Sequence, residues 1–336
     1  MTANNPAIGI VGGGAWGTAL AITLNRPERG VVLWAREAEV VRDINERRVN
    51  HTFLPGVTLP EGITATQNFA DLAHTQALLL VVPAQYMRSV TQGLAPHLSD
   101  ATPAVICTKG IEQHSLALMS DIVAQTLPGL PIAVLSGPTF ASELARGLPT
   151  AVTLAIADDA IGRDLVNAIG STRFRPYWSD DVIGAQIGGA VKNVLAIASG
   201  IVSGRGLGEN ARAAIITRGL HEMMRFGQAL GGRMETLMGL SGAGDLMLTC
   251  MSPKSRNFSV GFALGEGKTL SEATAGKPSV AEGVFSASAV SELADQKGVA
   301  MPIARAVDAV VNRGVAIDQV IEALLARPFT SEYAGR

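Results

Sequence analysis

The chain has little cysteine and little histidine: its 336 residues include two cysteines, Cys107 and Cys250, and five histidines. Two cysteines supply neither a disulfide framework nor a zinc-ligand set, and the histidines show no HExxH spacing. These shortages argue against a disulfide-stapled protein and against a metalloenzyme. The sequence therefore predicts no metal site.

The chain also has no large excess of charge of either sign. Lysine and arginine total 27 and aspartate and glutamate total 29, which gives a formal net charge of −2, and no basic run stands out. Proteins that bind nucleic acid or anionic membranes carry clustered lysine and arginine. We therefore expect no nucleic-acid partner.

No targeting segment or uninterrupted membrane-spanning run is recognisable. The first residues lack the basic region of a signal peptide. The most apolar window, 182–202, carries Gln186, Lys192 and Asn193 near its middle, which would be costly in lipid. We interpret this window as a helix buried in a protein core and predict a cytoplasmic protein without a membrane span.

Glycine is in excess, at 37 of 336 residues, or 11%, against about 7% in an average protein. The excess follows no Gly-X-Y period, which excludes collagen. It indicates positions that need a positive φ or close backbone approach, as phosphate-binding loops do.

The first half of the sequence alternates short apolar runs with helix-length amphipathic segments. The predicted strands are 7–11, 31–34, 77–82, 104–107, 132–135, 151–156 and 174–178. The predicted helices between them include 16–25, 38–48, 84–97 and 116–127. This alternation is typical of an α/β fold with a doubly wound, mostly parallel sheet covered on both faces.

The second half shows almost no strand-like alternation. A long helical segment follows a predicted N-cap at residues 179–181, and later helices are predicted at 211–230, 256–265, 284–297, 303–313 and 317–325. We expect a Rossmann-like dinucleotide-binding domain at 1–183 and an all-helical substrate and catalytic domain at 184–336.

A glycine-rich motif follows the first predicted strand. Gly12, Gly14 and Gly17 form G-x-G-x-x-G, with Ala15 and Trp16 between the last two glycines. Between a strand and a helix, this motif lets the backbone and the helix N-terminus bind a pyrophosphate. The alternative is a turn that merely needs glycines, and the strand–helix context favours the dinucleotide site.

The residues after the second predicted strand bear on the choice of cofactor. Arg36 is suited to stack on adenine and pair with a 2′-phosphate, whereas Glu37 favours a free ribose. A solvated charge pair capping the next helix is the alternative. We expect NADP, with NAD tolerated.

Lys192 lies in the apolar window, where desolvation would lower the pKa of its ammonium toward a range useful for proton transfer at a carbonyl. Its neighbour Asn193 is suited to orient a substrate or the nicotinamide amide. The sequence alone also allows the alternative that Lys192 lies on a helix surface and merely extends its ammonium into solvent. Farther on, Asp245 is presented by a glycine-rich segment, and Ser255, Arg256 and Asn257 combine donors that suit a phosphate.

Six ordered blocks together are far more specific than any one of them: GGGAWGTA at 12–19, TKGIE at 108–112, SGPTFA at 136–141, VKN at 191–193, GLSGAGDL at 239–246 and SRN at 255–257. On these blocks the chain resembles the NAD(P)-dependent glycerol-3-phosphate dehydrogenases of bacterial type over nearly its whole length. The resemblance implies reversible reduction of dihydroxyacetone phosphate to sn-glycerol 3-phosphate, which supplies glycerophospholipid synthesis.

The resemblance also implies residue roles. Lys192 matches the proton donor and acceptor, surrounded by residues matching Lys109, Asn193, Asp245 and Thr249. Implied substrate contacts are Lys109, Gly137, Thr139, Lys192, Asp245, Ser255, Arg256 and Asn257. Implied cofactor contacts, beyond the glycine motif and Arg36, are Lys109, Ala141, Arg256, Val280 and Glu282. The alternative is a related dehydrogenase acting on a 3-hydroxy acid or 6-phosphogluconate, and we expect a homodimer.

Overall fold

The computed structural model describes residues 7–98, 102–276, 281–329 and 331–332. All strands in these residues lie before residue 180. They are β1 Ile8–Val11, β2 Val31–Trp34, β3 Val49–Asn50, β4 Leu54–Thr58, β5 Ile63–Thr66, β6 Ala77–Leu80, β7 Ala104–Ile106, β8 Ile132–Ser136, β9 Thr150–Ala155 and β10 Phe174–Ser179.

Eight of these strands form one sheet in the order β10-β9-β8-β7-β6-β1-β2-β5, and β3 and β4 form a separate hairpin. Within this sheet, Ile8 of β1 aligns with Val31 of β2 and Ala77 of β6, both in parallel. Strands β8 and β9 are antiparallel. The predicted doubly wound, mostly parallel sheet is confirmed.

The sheet has an apolar core on both faces. Along β6, Leu79 packs into one buried cluster, while Leu78 and Leu80 pack into another. Successive side chains of a strand point to opposite faces, so a strand covered on both sides is apolar throughout. This explains why the central strands were recognisable as uninterrupted apolar runs.

The helices of this half are α1 Ala15–Leu24, α2 Ala38–Arg42, α3 Met87–Leu94, α4 Met119–Thr126, α5 Ala141–Leu144 and α6 Asp159–Ile169. The helix predicted at 38–48 ends as a π turn, Asp43–Arg47. The helix predicted at 84–97 has 3₁₀ turns at both ends. The prediction missed β3, β4 and β5. Strand β3 has only two residues, and Pro55 and Gly56 interrupt the apolar pattern of β4. Strand β5 is the four-residue segment ITAT, in which two of the four residues are threonine.

The described part of the second half is helical. Its helices are α7 Val182–Gly204, α8 Gly208–Ala229, α9 Met234–Met238, α10 Asp245–Cys250, α11 Arg256–Gly265, α12 Leu270–Thr274, α13 Glu282–Gln296, α14 Pro302–Val311 and α15 Ile317–Leu325. A π turn, Leu240–Gly244, leads into α10.

Helix α7 is the central element of this half. The Asp181 side chain caps it by accepting a hydrogen bond from the Gly184 N–H at 2.8 Å. By length and composition α7 could cross a membrane, but 89% of its most apolar window is buried inside the protein. This burial is the behaviour of a core helix, as the polar residues in its middle predicted.

Helices α7 and α11 pack with their backbones in direct contact. A Cβ atom on Gly261 of α11 would overlap the carbonyl oxygen of Ile197, and one on Gly200 of α7 would overlap that of Phe258. Small residues are what allow two helices to approach this closely. The close packing places the first turn of α11 beside the middle of α7, where Lys192 lies.

Candidate active site

The glycine motif forms a tight turn between β1 and α1. Gly12 has a φ of +128°, and a Cβ there would lie 2.9 Å from the carbonyl of Val81. A Cβ on Gly17 would overlap the Gly12 carbonyl oxygen, whereas a Cβ on Gly14 would have no described atom within 4 Å. Helix α1 begins at Ala15 without a side-chain cap. The turn thus leaves open space and free N–H groups where a pyrophosphate would bind, and its residues fit a dinucleotide.

A residue that the sequence analysis missed supports this turn. The fully buried Asn50, in the β3–β4 hairpin, donates hydrogen bonds to the Gly13 carbonyl and to Thr18 Oγ1, both at 2.8 Å. Its Oδ1 accepts from the Phe53 N–H at 3.1 Å. Asn50 therefore holds the glycine turn in place through these hydrogen bonds. No sequence pattern connects Asn50 to Gly13, which is why the sequence did not indicate this role.

Arg36 lies just beyond the end of β2. Its Nε and one terminal nitrogen donate to Glu37 Oε1 at 3.1 and 2.8 Å, and its side chain is 72% exposed. The ring of Tyr86 lies 6.0 Å from the Arg36 Cζ. An exposed ion pair is worth at most about 1 kcal/mol, so the guanidinium is free to turn toward a bound phosphate.

The centre of the site is a buried carboxylate between two lysines. Lys192 of α7 places its Nζ 2.7 Å from Oδ1 of Asp245, and Lys109 places its Nζ 2.7 Å from Oδ2. Lys192 Nζ also donates to Thr249 Oγ1 at 2.9 Å, and Lys109 Nζ to the Gly137 carbonyl at 2.9 Å. Asp245 is fully buried. The predicted Lys109, Lys192, Asp245 and Thr249 thus lie together.

Burial is the main cause of the altered acidity of Lys192. It lowers the pKa of the ammonium from 10.5 to about 8, the negative charge of Asp245 opposes the shift, and the positive charge of Lys109 adds to it. Lys192 is only 7% exposed, so the alternative of a lysine reaching solvent from a helix surface is wrong. The group therefore changes charge near pH 8, which suits proton transfer better than an ordinary lysine does.

A chain of side-chain amides runs beside this centre. The Gly283 N–H donates to Asn257 Oδ1 at 3.0 Å, Asn257 Nδ2 donates to Asn193 Oδ1 at 2.9 Å, and Asn193 Nδ2 donates to the Lys109 carbonyl at 3.2 Å. The two asparagines therefore hold the Lys109 backbone. Each Nδ2 still has a second hydrogen that a ligand would accept.

The other predicted phosphate residues lie in the first turn of α11. Ser255 caps the helix, because its Oγ accepts from the Phe258 N–H at 3.2 Å. Arg256 is exposed as a residue, but burial of its guanidinium lowers the pKa of Arg256, and the negative charge of Glu282 opposes that shift. Its side chain makes no hydrogen bond or ion pair within the described residues. Near it, Glu282 accepts from the Ala84 N–H at 3.2 Å. Burial raises the pKa of this carboxyl to about 7 against the attraction of Arg256.

The remaining predicted residues follow β8. Thr139 Oγ1 donates to the same Gly137 carbonyl, at 3.2 Å, that Lys109 contacts. Ala141 begins α5. Two predicted residues lie elsewhere in the chain. Trp16, in the glycine motif, has a buried Nε1 with no partner in the described part of the chain. Val280 lies outside the described residues.

The two parts of the site meet at one edge of the sheet. The glycine motif follows β1, Arg36 follows β2, Lys109 follows β7 and Gly137 follows β8. Ligands of open α/β sheets bind at this carboxyl edge, where neighbouring strands diverge in chain order, as β2 and β6 do on either side of β1. In the described ranges, no group of three histidine, cysteine, aspartate or glutamate side chains is placed to hold a metal ion.

Comparison with known proteins identifies the family of this chain. The family models for the N-terminus and C-terminus of NAD-dependent glycerol-3-phosphate dehydrogenase match residues 7–161 and 181–322. A glycerol-3-phosphate dehydrogenase [NAD(P)+] from Parvibaculum lavamentivorans is 54% identical over 332 residues, which are 99% of this chain and 100% of that protein. One from Caulobacter vibrioides is 55% identical, over 97% of this chain and 98% of that protein.

Solved structures show the same relationship. The crystal structure of glycerol-3-phosphate dehydrogenase from Coxiella burnetii matches with a TM-score of 0.92 at 40% sequence identity, covering 96% of this chain and 99% of that chain. The fold of this chain thus matches that of the Coxiella burnetii enzyme over nearly the full length, and the two family models together cover most of the chain. This chain belongs to the NAD-dependent glycerol-3-phosphate dehydrogenase family.

Proposed function

We propose that this protein reversibly reduces dihydroxyacetone phosphate to sn-glycerol 3-phosphate with NADPH, and with NADH as a second cofactor. The observation that carries the proposal is the buried Lys192–Asp245–Lys109 centre at the sheet edge that also bears the glycine motif. A carbonyl reductase needs a proton donor beside a dinucleotide site, and this arrangement supplies both.

The proposed chemistry follows from the charges. A dinucleotide held by the glycine turn and Arg36 would supply the hydride for the substrate carbonyl. Lys192 donates a proton to the carbonyl oxygen as negative charge develops there, which gives the hydroxyl group, and the neutral amine then regains a proton from solvent. Asp245 holds the Lys192 ammonium in position, and Lys109 adds positive charge where negative charge develops. In the oxidative direction, neutral Lys192 accepts the hydroxyl proton.

The substrate phosphate is assigned to the first turn of α11. Arg256 supplies a partly desolvated guanidinium that makes no hydrogen bond within the described residues and is attracted to Glu282. The N-terminus of α11 also favours an anion. The second Nδ2 hydrogen of Asn257 and the Ser255 hydroxyl hydrogen are further donors. Gly137 and Thr139 line the substrate, while Arg36, Ala141, Glu282 and the glycine motif contact the cofactor.

A steady-state assay tests this proposal. We expect NADPH-dependent reduction of dihydroxyacetone phosphate, slower or weaker with NADH, and negligible turnover of 3-hydroxy acids and 6-phosphogluconate. Arg256→Ala should raise the KM for dihydroxyacetone phosphate about 10- to 100-fold, since a charge-assisted bond contributes about 1.5–3 kcal/mol. Preference for one of the other substrates would refute the assignment.

Three further proposals concern the setting of the enzyme. We place the boundary between the dinucleotide-binding and helical domains after residue 183, and α7, which begins at Val182, spans it. The protein is a cytoplasmic homodimer that supplies glycerol 3-phosphate for glycerophospholipid synthesis. Light scattering at several concentrations tests the dimer, and cell fractionation tests the location.

A further inference from the structure

Two adjacent glycines, Gly188 and Gly189, lie one turn before Lys192 in α7. Residues three and four positions apart share one face of a helix. Helical side chains lean toward the helix N-terminus, so the Lys192 side chain extends back over the turn that contains both glycines. Both glycines therefore lie on the face of α7 that carries Lys192.

Gly188 faces the segment that presents Asp245. A Cβ on Gly188 would overlap the carbonyl oxygen of Ser241 and would lie 2.9 Å from the Gly242 Cα. The neighbouring atoms are backbone, which cannot move aside as a side chain can. The absence of a side chain at Gly188 therefore sets how closely the π turn before Asp245 approaches α7.

Gly189 faces Lys109. A Cβ on Gly189 would lie 3.1 Å from Lys109 Cγ, 3.4 Å from Lys109 Cδ and 3.0 Å from Ser136 Oγ. The Ser136 hydroxyl has no partner within the described residues, so it can rotate away. The Lys109 side chain is held at its far end by Asp245 and the Gly137 carbonyl, so a Cβ would push its methylene groups outward.

We propose that Gly188 and Gly189 are positioning residues for the proposed reaction. The lack of a side chain at Gly188 lets the Asp245 segment pack against α7, and the lack of one at Gly189 leaves room for the Lys109 side chain. The Asp245 carboxylate and the Lys109 ammonium can then both lie beside Lys192. The inference rests on the proposed function for its kinetic consequences. The geometry itself is independent of the substrate. A longer side chain at 189 would release Lys109 from Asp245 and leave the carboxylate to Lys192 alone.

The test is a series at position 189, because a Gly188 variant is expected to disturb the backbone and the fold. Gly189→Ala should reduce kcat modestly, and Gly189→Val on the order of 100-fold, as expected for a misplacement of about 1 Å in an active site. Gly93→Ala is the matched control, since a Cβ there would lie 3.1 Å from a carbon of Phe69 in a helix away from the site. The control should keep wild-type kcat.

A second readout needs no turnover. Competitive acylation followed by mass spectrometry gives the pKa of individual lysines, and in Gly189→Val the pKa of Lys192 should rise, because the Lys109 charge moves away. Lys109→Ala should produce the same rise. Adding Gly189→Val to Lys109→Ala should cause no further change in either kcat or the pKa, because the methylene groups that it displaces are absent.

An unchanged Lys192 pKa in a folded Gly189→Val protein would overturn the inference, as would equal kcat losses from Gly189→Val with and without Lys109. Circular dichroism melting establishes that each variant is folded. Failure of the wild-type protein to reduce dihydroxyacetone phosphate would refute the proposed function instead. The labelling result would still decide the role of Gly189.

Discussion

Glycine serves opposite purposes in two regions of this molecule. In the turn between β1 and α1, Gly14 leaves a space that no described atom fills within 4 Å of a would-be Cβ. In α7 and α11, Gly200 and Gly261 leave no space, because the backbone of the other helix occupies it. The turn keeps room for a ligand, whereas the helices use the same residue to bring protein groups together.

This difference distinguishes the turn that is proposed to bind the cofactor from the buried centre that is proposed to supply the proton. The sheet region offers free N–H groups and open space for a cofactor. The helical region packs Lys192, Thr249 and Asp245 into a nearly dry environment, where charges interact strongly. Substitutions in the glycine turn should change cofactor affinity. Substitutions in the buried Lys192–Asp245 centre or in the α7–α11 contact should change turnover or stability.

The largest expected effect is on Lys192. Lys192→Met should lower kcat for dihydroxyacetone phosphate reduction about 100- to 10,000-fold, the usual contribution of a general acid. NADPH affinity, measured by fluorescence titration, should stay within a few-fold of wild type because the glycine turn is untouched. Near-normal turnover would show that the helical region does not supply the proton.

Stability is the next measure of the comparison. Gly261→Ala forces a methyl group against the Ile197 carbonyl, and overpacking of this kind costs about 1–3 kcal/mol or more. We expect a lower midpoint of urea unfolding. A variant as stable as wild type would mean that α7 and α11 can separate freely.

The pH dependence should come from the helical region. Because the pKa of Lys192 is lowered to about 8, the proton needed for reduction is present below that pH and lost above it. The kcat for reduction should fall, and that for glycerol 3-phosphate oxidation should rise, as pH increases through about 8. Lys109→Ala should move both transitions upward, since it removes a neighbouring positive charge.

In the turn, Gly14→Ala should leave the fold intact and weaken the cofactor. Gly14 has a φ of −70° and a ψ of 179°, which alanine readily adopts. The new methyl group would enter the space meant for the pyrophosphate, so we expect roughly tenfold weaker NADPH binding by titration, about 1.4 kcal/mol. The unfolding midpoint should not fall. A loss of stability instead would make this glycine resemble those of α11.

The smallest expected effect is on Arg36. Arg36→Ala should weaken NADPH binding several-fold while changing NADH binding little, because an exposed charge contributes only about 1 kcal/mol. Parallel titrations with both cofactors give the ratio. Equal losses for NADPH and NADH would indicate adenine stacking rather than recognition of the 2′-phosphate.

The accuracy of the sequence-based expectations depended on how local the signal was. The central strands were recognisable because each is apolar on both faces, and the glycine motif because its residues are consecutive. Strand β3 and Asn50 were missed because a two-residue strand has no periodicity. The antiparallel pairing of β8 with β9 was also invisible, since both strands are apolar runs whatever their direction.

The sequence by itself determined the sheet-then-helix order, the dinucleotide motif and the presence of a lysine in an apolar helix, because these depend on neighbouring residues. Only the tertiary structure decided that Asp245 contacts both Lys192 and Lys109, that Asn257 reaches Lys109 through Asn193, and that Ser255 is a helix cap. Those contacts join residues from distant parts of the chain. Their distances follow from how closely α7, α11 and the Asp245 segment pack, which no local pattern encodes.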